Sequence, residues 1–264
     1  MAEEQREASG GRSVTTIERA VDVLFLFAED PQPTLGVTEI ANSLDISKAV
    51  VHRILTSLRD RDLVVLDGEN RRYSLGPAVL RLADAYRDRI DLRLLAQETM
   101  RKLSAQTDET ATLSIRSGDQ RIYVDKVTPD REVRMTVQLG RPYPLHAGAS
   151  SKAFLAFLPD EERDDYLRRA SLDPLTDATI TDLAVLRREL DQVRQQGFAV
   201  SMGERQADAA SVAAPVFDAD GPGPVAVISV SGPIQRFRDA VAETAVAVTE
   251  ATRELSVRLG ARPR

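Results

Sequence analysis

The glycine–proline pair at positions 76 and 77 closes one residue pattern and opens another, so the chain reads as a two-domain protein with a helical link. Ahead of the pair, apolar residues recur three times with helical spacing. In "TIERAVDVLFLFAED" the spacing puts Ile17, Ala20, Val21, Leu24, Phe27 and Ala28 on one face, and "PQP" stops the helix. A short helix fits Thr38 to Leu44, with Thr38 as N-cap and Ile40, Ala41 and Leu44 facing inward. A third runs from Ser47 to Arg59 on the apolar face Val50, Val51, Ile54, Leu55 and Leu58. "LVVLDGENRRYSL" then reads as two strands around an Asp67-Gly68 turn. Three helices and a β-hairpin form a compact unit over residues 13–76.

Pro77 suits the first turn of a new helix. Leu80, Ala83 and Tyr86, then Leu92, Leu95 and Leu103, mark linking helices, the first over residues 77–91. Beyond Asp108 the texture changes. "ETATLSIRSGDQRIYVDKV" reads as a hairpin turning at Ser117–Gln120, and "REVRMTVQL" as a further strand. Helices follow at Ser150–Leu158, Asp160–Arg169 and Thr181–Gln196, the last with Gly197 as C-cap. "SVAAPVF" and "PVAVISVSG" flank the turn "DADGPG" in another hairpin. A closing helix from Arg238 to Leu259 buries Val241, Ala245, Val248, Thr252, Leu255 and Leu259. Residues 92–260 are therefore expected to be an α+β domain, an antiparallel sheet covered by helices.

Composition removes several functions. The absence of cysteine excludes disulfides, cysteine-ligated zinc and thiol catalysis. His52 and His146 are the only histidines, too few for a multi-histidine metal centre, and no metal or cofactor is expected. The longest apolar run is six residues, as in Val23–Ala28, far short of a membrane span. "MAEEQREASGGR", residues 1–12, mixes acids with bases and is expected to be a flexible tail rather than a signal peptide. The expectation is a cytoplasmic protein that does not engage membranes. A net charge of −6 argues against a general polyanion binder but says nothing about local patches.

One such patch lies between Asp45 and Asp60. "ISKAVVHRILTSLR" contains no carboxylate. With the apolar face removed, Ser47, Lys48, Ala49, His52, Arg53 and Thr56 are left outside. Bases and hydroxyls near a helix N-terminus, after a short helix and a tight turn, fit a helix-turn-helix. Asn70, Arg71 and Arg72 on the hairpin stand where a winged variant touches phosphate or the minor groove. DNA repels carboxylates, so an acid-free face is what reading it requires. The bland alternative is a cationic solvent face, since residues 12–76 carry eight Lys and Arg against ten Asp and Glu.

"HAGASSKAF", residues 146–154, could hold either a nucleophile with its base or an anion. A nucleophile elbow needs glycine where Lys152 stands, a Ser-x-x-Lys pair needs serine where Ala149 stands, and a Walker loop needs glycine where Ser151 stands. No acid is placed by sequence to orient His146. As a binding element the stretch makes better sense. Gly148, Ala149 and Ser150 would open a helix whose free N–H groups and dipole favour an anion. The alternative is a small-residue turn that lets a helix pack closely. In "AVISVSG", Ser229 and Ser231 alternate with apolar residues and share a sheet face.

Several blocks together carry a family resemblance: "SVTTIERAVDVL", "TEIANSLDISKAVVHRILTSLRDRDLV", "RRYSLGPAVLRL", "ETATLSIRSGDQRIYVDKV", "PLHAGASSKAFLAFLP", "GFAVSMGERQADAASVAAPVF" and "AVISVSGP". In this order they resemble the IclR family of bacterial transcriptional regulators from Ser13 to Leu259. The resemblance implies an N-terminal all-α winged helix-turn-helix and a GAF-like effector domain holding a small, often acidic, metabolite. DNA contacts would then involve Thr38, Ser47, Lys48, Ala49, His52, Arg53, Asn70, Arg71 and Arg72. The effector would meet the amides of Ala149 and Ser150 and the hydroxyls of Ser211, Ser229 and Ser231, with Met135 as an apolar wall. Ser201 stands where the family often has a carboxylate, Ser211 where cysteine occurs, which makes the pocket rich in hydroxyls and nearly free of charge, with Glu204 and Arg205 close by in sequence and free to turn either way. "SKAV" replaces the family's usual Pro-Lys-Ser-Thr start of the reading helix. The resemblance further implies a homodimer on a double-stranded operator, pairing into tetramers; the apolar face of "TIERAVDVLFLF" is itself wide enough to pack its own domain and leave Phe25 or Leu26 for a partner. Two other functions fit the residues: a metabolite-binding enzyme with its own DNA-binding domain, and an adaptor whose winged helix binds proteins.

Overall fold

The computed structural model describes residues 16–262 apart from 29, 31, 33 and 88–90. The tail at 1–12 and most of the "PQP" stop lie outside the described residues. The chain forms two compact units that divide between Arg89 and Ile90.

The first unit holds helix α1 over residues 16–28, α2 (Val37–Ser43), α3 (Lys48–Arg59), strands β1 (Val64–Leu66) and β2 (Tyr73–Leu75), and α4 (Ala78–Arg87). Val23 and Phe27 are the buried side chains of α1, with Ala20, Leu24 and Leu26 partly buried beside them. The face is thus rotated from the one the spacing predicts: Ile17 is 63% and Val21 43% exposed, and Ala28 is exposed too. "VLFLFA" is apolar almost all round, so its spacing does not single out a side. Helix α2 starts one residue before Thr38. Its N-cap is Gly36, whose N–H donates to the Glu39 carboxylate at 2.7 Å, so Thr38 sits exposed inside the first turn. Ser47 does cap α3, its Oγ accepting from the Val50 N–H at 3.4 Å.

Val51, Ile54, Leu55 and Leu58 face the core with Ile40, Leu35, Val64 and Tyr73. Each such burial is worth about 1.5–3 kcal/mol. Strands β1 and β2 pair antiparallel from Val64↔Leu75 to Leu66↔Tyr73. Their connection is wider than the expected Asp-Gly turn: the Asp67 N–H donates to the Arg72 carbonyl at 2.8 Å, and Arg71 takes a positive φ of 56°. Gly76 lies against the Asp62 and Leu63 backbone, where its N–H donates to Leu63 O at 2.8 Å and an added Cβ would overlap the Asp62 carbonyl. Gly76→Ala is therefore expected to cost about 1–3 kcal/mol through overpacking, read as a lower melting temperature of the first unit. In α4, Leu80 is 66% exposed rather than inward, and the side chains of Ala83 and Tyr86 lie outside the described ones.

The second unit runs α5 (Leu92–Thr107), β3 (Thr110–Ser117), β4 (Gln120–Val127), β5 (Pro142–Pro144), α6 (Ala149–Phe157), α7 (Asp160–Arg169), α8 (Leu183–Gln196), β6 (Ala199–Met202), β7 (Ala209–Val216), β8 (Ala226–Pro233), α9 (Ile234–Phe237) and α10 (Val241–Arg258). The six strands form one antiparallel sheet in the order β5-β4-β3-β8-β7-β6. Helices cover both faces. Ala210, Val212, Ala214, Ile228 and Val230 join α5 and α10 in one core, while Ala199, Ala213 and Val227 join α6, α7 and α8 in another. That explains why β7 and β8 read as continuous apolar runs rather than clean alternations.

"REVRMTVQL" is not a strand. Met135 and Val137 are buried, as alternation predicts, but this segment's carbonyls are met by side chains: Thr110 Oγ1 donates to Met135 O at 2.6 Å and Lys126 Nζ to Val137 O at 2.8 Å. The closing helix begins at Val241, after α9 and a 3₁₀ turn at Arg238–Ala240.

Candidate nucleic-acid interface and ligand cavity

On α3, Ser47, Lys48, Ala49, His52, Arg53 and Thr56 are all exposed, and no acid occupies the first turn. Thr56 Oγ1 donates to the His52 carbonyl at 2.8 Å, which leaves the Lys48, His52 and Arg53 side chains as the outward polar groups of this face. The wing residues separate in role. Arg71 is exposed. Asn70 builds the turn, Nδ2 donating to Asp67 at 2.6 Å and Oδ1 accepting the Arg72 N–H at 2.8 Å. Arg72 turns back onto α2. Its guanidinium donates to both Glu39 oxygens at 3.1 and 2.8 Å, to Thr34 Oγ1 at 2.9 Å and to Thr34 O at 2.7 Å. The Gly36 amide, and Arg72 after it, hold the Glu39 carboxyl below its ordinary range. Arg72 ties the wing to the start of α2 and neutralises the acid there.

In the second unit, a narrow cavity of about 20 Å3 lies between the sheet and the start of α6. Met135, Ala149, Ser150, Ser201, Ser211 and Ser231 line it. The strand register explains why three serines meet: Ser231 is opposite Ser211, and Ser211 is opposite Ser201. They form one transverse row of hydroxyls on the α6 side of the sheet. Ser229 shares that side but is not among the lining residues; its Oγ is paired with Thr112 Oγ1 at 2.7 Å.

Arg121 is what the sequence reading missed, whereas Arg205 was left open there. Arg121 and Arg205 both line this cavity, so it is not nearly charge-free. Arg121 is 1% exposed and bonds Ser151 Oγ at 2.8 Å and Tyr123 Oη at 3.0 Å; among the described residues no carboxylate pairs with it. Burial lowers its pKa, yet a guanidinium stays charged. Its carbon lies 4.2 Å from the Tyr123 ring centroid, and that of Arg205 lies 4.9 Å from Tyr143. These contacts supply part of what a counter-ion would. The available signal was the alternation in "QRIYVDKV", which puts Arg121 and Tyr123 on one strand face.

At the start of α6, Gly148 has φ 89° and ψ 154°, a conformation that side chains disfavour. Its N–H donates to Glu204 Oε2 at 3.0 Å. Glu204 Oε1 accepts from Lys152 Nζ at 2.6 Å, and Lys152 also reaches Glu189 Oε1 at 2.6 Å. Lys152 therefore neither faces water nor enters the cavity; it is the centre of a buried ion cluster. His146 Nε2 meets the Asp173 carbonyl at 3.0 Å, and Ser151 accepts from Arg121, so this motif holds no base-activated serine.

A helix-turn-helix unit followed by a sheet domain with an anion-friendly cavity defines a ligand-responsive DNA-binding transcriptional regulator. Residues 16–68 match the IclR helix-turn-helix domain, and residues 84–257 match the bacterial transcriptional regulator IclR C-terminal domain. The chain belongs to the IclR family of transcriptional regulators. It is 37% identical to the HTH-type transcriptional regulator BhcR of Paracoccus denitrificans, covering 95% of this chain and 88% of BhcR. It is 32% identical to the HTH-type transcriptional regulator KipR of Bacillus subtilis, covering 93% and 97%. A crystal structure described as an IclR transcriptional regulator from Silicibacter sp. TM1040 superposes with a TM-score of 0.84 at 27% identity, covering 94% of this chain and 97% of that one. These relatives are named transcriptional regulators, and the family is one of DNA-binding regulators. Among the described residues no helix is long and apolar enough to cross a membrane.

Proposed function

We propose that α3 reads operator DNA through Lys48, Ala49, His52 and Arg53, with Thr38 and Ser47 beside phosphates and Asn70 and Arg71 on the wing. Arg72 acts as a positioning residue that holds the wing, not as a contact. The effector is a small organic acid. Its carboxylate meets Arg121, Arg205 and the amides of Ala149 and Ser150, its polar groups meet Ser201, Ser211 and Ser231, and Met135 walls it. Ser229, bonded to Thr112, supports the floor from beside the serine row. The observation that carries this reading is the buried Arg121, a charge with no carboxylate partner among the described residues, in the wall of the serine-lined cavity. The protein works in the cytoplasm as a dimer, and as a tetramer of paired dimers. Exposed Ile17, Val21 and Phe25 follow one another along α1 at four-residue steps and suit a partner's apolar face.

Binding to fragments of the chain's own promoter tests the DNA half. Lys48→Ala and Arg53→Ala should each weaken specific binding by about 1–3 kcal/mol, roughly 5- to 150-fold, with effector binding unchanged. The footprint should cover two half-sites about one helical turn apart, as a dimer requires. Full affinity in both variants, or a single half-site held by a monomer, would count against the assignment.

A further inference from the structure

At about 20 Å3, the cavity over the serine row has room for roughly one water molecule. Given the effector site proposed above, an organic acid enters only where part of this wall gives way. Most of the wall is fastened. The three serines belong to hydrogen-bonded strands. Gly148 and Lys152 tie the start of α6 to the Glu204 carboxylate. Thr110 and Lys126 hold the segment of Met135 and Val137 by its carbonyls.

Arg205 is held differently. It lines the cavity half-buried, and it makes no hydrogen bond or ion pair with any described residue. Two aromatic faces are what it touches: its guanidinium carbon lies 4.9 Å from the Tyr143 ring centroid and 5.9 Å from that of Tyr123. The buried Arg121 approaches the same two rings, at 5.1 and 4.2 Å, and exposed Arg141 reaches Tyr143 at 5.6 Å. Attraction to the rings thus works against repulsion between like charges. Burial chiefly, and the nearby Arg205 as well, lower the Arg121 pKa. The backbone behind Arg205 is fixed, since Glu204 O accepts from Thr179 Oγ1 at 2.6 Å and from Thr176 Oγ1 at 3.2 Å. Only the side chain is left to swing.

We propose that Arg205 is a gate on the effector cavity, opened by repulsion from Arg121 and closed by an acid. Without ligand, the guanidinium swings off the tyrosine faces and uncovers the cavity. A carboxylate placed between the two guanidinium groups turns their repulsion into attraction, and Arg205 closes over it. An uncharged molecule of the same size draws no such closure, so the gate selects for charge.

The test labels the full-length protein with phenylglyoxal and follows the Arg205 peptide by mass spectrometry. Acetate is the probe and acetamide its uncharged control. Without either, Arg121→Met should slow labelling of Arg205 about fivefold by removing the repulsion, and Tyr143→Leu should speed it about as much by removing a ring. Tyr143 is not among the lining residues, so its variant keeps the ligand contacts. A loosened fold would speed labelling in both variants, whereas the gate moves them in opposite directions. In the parent protein, acetate at high millimolar concentration should slow labelling about tenfold, and acetamide should not. Labelling that Arg121→Met leaves unchanged or speeds, or that Tyr143→Leu leaves unchanged, overturns the gate. So does acetate that raises the melting temperature without protecting Arg205. Failure of the effector assignment looks different: both variants would shift labelling as expected, yet acetate would neither protect Arg205 nor raise the melting temperature.

Discussion

Lys152→Ala is expected to cost the second unit about 3–5 kcal/mol, because it leaves Glu204 buried with no counter-ion. Lys152 is 1% and Glu204 6% exposed, so water cannot replace the lost partner without opening the start of α6. Glu189, with 29% of its side chain exposed, can be rehydrated. Glu189→Gln should therefore cost much less, at most about 1 kcal/mol. A double variant, Lys152→Met with Glu204→Gln, should recover much of the loss, since it removes both charges together. Chemical denaturation of the three variants decides it. A loss below about 1 kcal/mol for Lys152→Ala would mean that the cluster is not closed to solvent.

Arg121→Met is expected to do the opposite to stability while removing most effector affinity. Arg121 is a buried cation held by hydroxyls and aromatic faces, with no carboxylate among its described partners. An apolar side chain of similar length avoids the cost of burying charge, so the ligand-free domain should melt at the same temperature or higher. A hydrogen bond from a charged donor to a carboxylate is worth about 1.5–3 kcal/mol, so affinity for the organic acid should fall about 10- to 150-fold. Melting curves and calorimetry against a panel of small organic acids measure the two effects separately. Undiminished affinity would place the carboxylate elsewhere in the cavity.

These two residues also mark the limit of what the sequence makes legible. Helices with clear boundary residues could be read directly: α7 follows Pro159 and spans the residues expected of it, α8 starts at Leu183 after an Asp182 cap, and Gly197 ends it with a φ of 86°. The hairpin β3–β4 was legible from alternation and turn residues, and β7–β8 from two apolar runs flanking the turn "DADGPG". Strands β5 and β6, three and four residues long, are too short to show a period. In α1 the apolar residues surround the helix, so its buried side was settled by packing. The candidate cavity was legible where neighbouring residues carry it, as with Ala149, Ser150 and Ser231. Alternation places Arg121 only on a strand face; its contact with Ser151 and the Lys152–Glu204 pair span 30 and 52 residues, which no local pattern displays.

The serine row has one more consequence. Ser231, Ser211 and Ser201 occupy adjacent strands, so the distance between neighbours is set by backbone hydrogen bonding at roughly 4.8 Å, and the row spans about 10 Å. Side-chain substitution can change which group stands at each mark but not the interval between marks. The cavity floor therefore works as a ruler with fixed graduations. Acids that differ by less than one interval present their polar groups to the same marks and are sorted mainly by fit, whereas those that differ by a full interval engage a different number of hydroxyls. Preference for chain length in this domain should change in whole strands.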